Sequence, residues 1–110
     1  MTNNNLHMIS AITDKTLYNM ILGNGSSKTR ILILDELLKQ AYNANQLSKK
    51  LKLDYKTIRY HMEIICKYQY ATEEKFGKYT YYHPGDKLIK HLDEYILIKE
   101  YYENQMFKGE

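Results

Sequence analysis

The chain is 110 residues long, 44% apolar and 26% charged, with a net charge of +3. It has the length of one domain of residues 1–110 and enough apolar residues to bury a core. A single cysteine, Cys66, excludes disulfide staples and thiolate clusters within one chain, and no apolar run reaches the length of a spanning helix. The polar start, Met1 to Asn5, lacks the features of a secretory leader, so a cytoplasmic protein is expected.

In chain order, residues 6–12 are read as a turn of helix or an apolar arm. Thr13 or Asp14 is positioned to cap a short helix over 15–22, stopped by Gly23-Asn24-Gly25. Ser26 or Ser27 starts the next, where Ile31, Leu34, Leu37 and Leu38 recur at helical spacing to about Gln40. Asn43 and Gln46, three apart, have the form of a capping box for a helix that turns Leu47 and Leu51 inward. After Leu53, Asp54 caps a helix over 55–68 with Ile58, Met62 and Ile65 as its buried stripe.

The period then changes. Residues 70–75 and 79–83, rich in Tyr and Thr, flank Phe76-Gly77-Lys78 and predict a β-hairpin, terminated by Pro84-Gly85. Asp86 caps a last helix over 86–107, with Leu88, Leu92, Tyr95, Ile96, Tyr102 and Met106 on one side. The fold class is therefore mainly α with a small β-hairpin: a winged helix-turn-helix over 13–85, flanked by N- and C-terminal dimerisation helices.

The charge is not spread evenly. Residues 45–67 hold six basic and two acidic side chains, whereas 86–110 hold four and six. A short basic segment coinciding with a helix-turn-helix is what a polyanion feels. With 58, 62 and 65 inward, Tyr55, Lys56, Thr57, Arg59, Tyr60 and Glu63 remain outward. Arg59 suits guanine O6 and N7, Thr57 and Tyr60 suit bases or phosphates, and Lys56 suits phosphate. Lys49, Lys50 and Lys52 add positive field, and Lys75 and Lys78 flank the wing tip.

The stretch NANQLSKKLKLDYKTIRYHMEIICKYQY at 43–70 resembles the winged helix-turn-helix of ArsR-type prokaryotic regulators. SSKTRILILDELL at 26–38 is similar to that family's Asp-Pro-Thr-Arg-Leu-x-Ile-Leu helix, with Lys28 in place of the proline, and TIRYHMEII at 57–65 resembles its recognition helix. The resemblance covers roughly 15–107. It implies a homodimeric transcriptional regulator that binds double-stranded DNA, with helix 55–68 in the major groove and wing 70–83 on the backbone or minor groove. Its metal motifs are not matched. Leu47-Ser48-Lys49 stands where the family has Cys-x-Cys, and His91 is the single histidine beyond residue 83, leaving Asp86, His91 and Glu94 at poor spacing for zinc.

No metal and no cofactor are expected, and the sequence names no small-molecule effector. His61 is read as a partly buried histidine bonded to backbone or phosphate, Cys66 as unreactive, and His83 as a strand-end residue. The apolar excess of 88–106 predicts a homodimer interface, and the acidic balance of that segment disfavours a membrane. Neither a glycine-rich phosphate loop nor a nucleophile beside a base is present, so no enzyme is expected. The alternative is a winged-helix module that docks on the transcription machinery.

Overall fold

The computed structural model describes residues 9–108, so residues 6–8 of the expected N-terminal turn lie outside the described residues. The helices are α1 (Lys15–Leu22), α2 (Ser27–Leu37), α3 (Ala44–Leu51), α4 (Tyr55–Lys67), α5 (Asp86–Lys90) and α6 (Leu92–Lys108). The strands are β1 (Tyr42–Asn43), β2 (Ala71–Phe76) and β3 (Tyr79–Pro84). Packing divides the described residues into two units, 9–27 with 91–108 and 28–90.

In the first unit α1 packs on α6. Asp14 caps α1 by accepting from the Leu17 N–H, and the helix ends where the Gly23 N–H reaches the Asn19 carbonyl at 2.8 Å. Glu94, in the first turn of α6, grips the start of α1. Its carboxylate accepts from the Thr13 hydroxyl at 2.6 Å, from the Thr13 N–H and from the Asp14 N–H at 2.9 Å. Burial pushes the Glu94 pKa up, but these hydrogen bonds outweigh it and the net shift is downward. His91 Nδ1 lies 3.1 Å from Asp14 Oδ2. Leu17, Met20, Ile21, Tyr95 and Ile98 are buried.

The second unit contains the expected helix-turn-helix and wing. Asn43 and Gln46 form a complete capping box at α3, at 2.8 and 2.9 Å. Lys52 turns the chain through a left-handed conformation (φ 57°), the Ser48 hydroxyl donates to the Leu53 carbonyl at 2.6 Å, and Asp54 caps α4. The hairpin pairs Ala71 with Pro84 through to Phe76 with Tyr79 across the two-residue turn Gly77-Lys78, with Gly77 at φ +63°.

Gly85 follows the wing in a space that admits no side chain. Its N–H donates to the Tyr70 carbonyl at 2.9 Å, and a Cβ there would lie 2.3 Å from the Gln69 carbonyl oxygen.

Three features differ from the sequence expectation. The hairpin gains a third strand, because Tyr42 and Asn43 pair with Tyr82 and Tyr81 to give the antiparallel order β1-β3-β2. Two residues carry too little periodicity to signal a strand. The helix expected over 86–107 is broken at His91, whose carbonyl accepts the Tyr95 N–H that begins α6 and whose ring meets Asp14. The α2 helix stops at Leu37, leaving Leu38 exposed in the following turn.

Candidate nucleic-acid interface

Recognition-type helices need one face anchored and one face free. On α4, Ile58, His61, Met62 and Ile65 are buried. Tyr55, Lys56, Arg59, Tyr60 and Glu63 are exposed, with Thr57 half-buried. His61 is a correction. It is buried, and its Nδ1 accepts a hydrogen bond from Arg30 Nε at 3.1 Å rather than meeting backbone or phosphate. Burial and the neighbouring Arg30 charge lower the His61 pKa, so the ring is neutral and free to accept. Arg30 is itself buried on α2 and its pKa is lowered by desolvation, yet a guanidinium stays charged at any physiological pH.

Arg59 and Lys78 share a groove. With Tyr55, Tyr79, Thr80, Tyr82, Asn43 and Asn45 they line a groove of about 330 Å³ between the start of α4 and the wing. No carboxylate lines it. A hydrogen bond with Tyr55, followed by the influence of Tyr82, raises the Arg59 pKa and holds the guanidinium firmly charged. Two cations, several hydroxyls and two amides around one opening form a surface that accepts anions and presents donors.

The other basic residues expected at the interface are not part of this lining. Lys49 and Lys50 are exposed on the last turn of α3, and Lys75 is exposed on β2. At the wing tip the Lys78 ammonium lies 5.7 Å from the centroid of the Tyr79 ring. What sequence reasoning missed was the side-chain meeting of Arg59 with β3. The odd placement of so many tyrosines in 79–82 was the one available signal.

Residues 27–67 match the arsR family of bacterial regulatory proteins. This arsR-type segment spans α2, α3 and α4, the elements that anchor and present the exposed face described above. Known structures extend the likeness to the wing and flanking helices as a matter of fold. The transcriptional regulator HlyU from Vibrio vulnificus CMCP6 is 21% identical, over 92% of this chain and 99% of that one, with a TM-score of 0.61. Reduced HlyU from Vibrio cholerae N16961 is 18% identical, over 86% and 96%, with a TM-score of 0.61. A MarR transcriptional regulator from Methanosarcina mazei Go1 is 16% identical, over 94% and 78%, with a TM-score of 0.62. A search of curated proteins finds no match. The chain has the winged-helix fold of these structures, and its residues 27–67 match a family of regulatory proteins.

The residues expected at a dimer interface are divided. Leu88 and Tyr95 are buried, at 0% and 1% exposure, and belong to the interior. Leu92 and Tyr102 are half-buried, while Ile96 and Met106 stand exposed at 46% and 58%. Of Asp86, His91 and Glu94, His91 lies against Asp14 and Glu94 accepts from Thr13 and Asp14. Burial, then the nearby Glu73 charge, pushes the Cys66 thiol up to about 11. No helix among the described residues is long and apolar enough to cross a membrane.

Proposed function

We propose that this protein is a homodimeric, sequence-specific regulator of transcription that binds double-stranded DNA in the cytoplasm, without a family-type metal site. The observation that carries the reading is the groove that Arg59 of α4 and Lys78 of the wing both line, with no carboxylate in its lining. In this reading α4 enters the major groove. Arg59 donates to guanine O6 and N7, Tyr55, Thr57 and Tyr60 meet bases or phosphates, and Lys56, Lys49 and Lys50 meet phosphates. The wing follows the backbone into the adjacent minor groove, with Lys75 and Lys78 toward the sugar-phosphate chain.

The homodimer is supported by Ile96 and Met106, large apolar side chains left exposed on α6. A twofold dimer spaces its recognition helices by about 34 Å, one duplex turn, or a multiple of that, and so selects an inverted repeat. The experiment is selection from a random duplex pool followed by gel shift over a range of salt. Recovery of an inverted repeat whose affinity falls steeply with salt supports the proposal. Retention of no duplex would overturn it in favour of a winged-helix module that docks on another protein.

A further inference from the structure

Phe76 and Tyr79 are the last cross-strand pair of the wing, on either side of Gly77-Lys78. They are 72% and 52% exposed. Two adjacent aromatic side chains at the tip of a hairpin contribute nothing to a core, and leaving them in water is unfavourable. Strand alternation sets both opposite in parity to Tyr82, which is buried, so the tip pair does not continue the packed face of the sheet.

The charge along the wing is polar in the same direction. Glu73 and Glu74 occupy its middle, with His83 Nε2 2.8 Å from the Glu74 carboxylate, whereas Lys75 and Lys78 flank the tip and no acid lies between them in sequence. An aromatic pair set between two lysines is complementary to a surface with anionic edges and an apolar floor. The minor groove of a duplex has that form: phosphates line both walls, and sugars and base edges lie between them.

We infer that Phe76 and Tyr79 form an aromatic wedge that enters the minor groove of the bound duplex, while Lys75 and Lys78 hold the flanking phosphates. The inference rests on the proposed DNA binding and adds to it the contact that the wing makes. The wedge reads groove width and step flexibility rather than hydrogen-bond pattern. Its contribution is apolar, so it adds affinity without releasing counterions.

The test uses the full chain and a duplex of about 30 base pairs carrying the repeat recovered by selection. Phe76→Ala is expected to weaken binding about tenfold with the salt slope unchanged, and Phe76→Leu to restore most of the loss. Replacing guanosine by inosine at the flanking positions removes the minor-groove amino group and leaves the major-groove O6 and N7 in place. That replacement should alter wild-type affinity and leave the affinity of Phe76→Ala unaltered. Circular dichroism checks that the variants stay folded.

Binding by Phe76→Ala within about twofold of wild type would overturn the inference while leaving DNA binding in place. A loss accompanied by the slope change of Lys78→Ala would also overturn it, because the residue would then act through phosphates. If Phe76→Ala bound duplex normally but lost attachment to phosphatidylcholine–phosphatidylglycerol vesicles, the wedge would belong to lipid and the inference would fall. Failure of the wild-type protein to bind any duplex would remove the proposed function, and this inference with it.

Discussion

Arg30 on α2 donates its Nε–H to Nδ1 of His61 on α4 across 3.1 Å, with both side chains buried. The bond joins the first helix of the arsR-type segment to the back of its exposed helix. His61 faces inward one turn from Ile58 and Ile65, and Tyr60 beside it faces out, its ring edge-on to the imidazole at a centroid distance of 5.0 Å.

His61→Ala is expected to cost about 2–4 kcal/mol of stability, from the lost packing and the buried donor left on Arg30. The pH dependence has a definite sign. The folded pKa lies below the ordinary value of 6.5, so the unfolded chain binds the proton more readily. The His61 contribution is therefore full above about pH 6.5 and declines as the pH falls below it. Urea midpoints near neutrality and at about pH 5.5 should differ more in wild type than in His61→Gln.

Glu36 and Tyr42 form a second buried bond, 2.7 Å from the tyrosine hydroxyl to the carboxylate. The hydroxyl is the largest influence lowering the Glu36 pKa, and the same bond raises that of Tyr42. Tyr42→Phe should cost about 1–3 kcal/mol, because Oε1 of the buried carboxylate loses its donor and only Lys39, 3.4 Å from Oε2, remains. The Glu36 contribution is present above the unfolded carboxylate pKa of about 4.3 and is lost as the pH falls through the lower folded value. Acid titration of Tyr42→Phe should accordingly show a smaller pH-dependent loss of stability than wild type.

Cys66 should be slow to react. With its thiol pushed up to about 11, the thiolate fraction near neutrality is small, and attack by iodoacetamide is expected to lag behind that of a free cysteine. Cys66→Ser should bind DNA as wild type does under reducing and mildly oxidising conditions. A difference between the two conditions in the wild type, absent from Cys66→Ser, would show a redox role for this residue.

The exposed apolar positions of α6 locate the proposed interface. Ile96→Glu with Met106→Glu should shift a dimer to monomer in light scattering while leaving the thermal transition nearly in place, since neither side chain is buried. A wild-type chain that stays monomeric at micromolar concentration with DNA affinity intact would contradict the dimer. Truncation after residue 83 is a poorer test, because it removes Leu88 and Tyr95 from the interior.

Much of this architecture is legible locally. The Asn43–Gln46 capping box, the Asp14 and Asp54 caps and the Gly77 turn depend on neighbours a few residues apart, and each appears where spacing puts it. The features that escaped are set by distant partners. The Tyr42–Asn43 strand exists because β3 pairs with it, and the break at His91 follows an attachment to Asp14 some eighty residues earlier. Sequence pairs His61 with backbone or phosphate, because its actual partner, Arg30, lies two helices away. Leu88 and Tyr95 share a pattern with Ile96 and Met106, and pattern alone does not separate a core face from an interface face.

The groove shared by Arg59 and Lys78 makes the most direct test, and the measurement is the affinity of Arg59→Ala and Lys78→Ala for the selected duplex and for random duplex as salt is varied. Arg59→Ala should cost about 1–3 kcal/mol on the selected duplex and little on random duplex, so that specificity falls. Lys78→Ala should weaken both duplexes alike and make the salt slope shallower by about one unit per subunit. Equal, small losses from Arg59→Ala on both duplexes, or binding indifferent to either substitution, would contradict a DNA-reading role for this face.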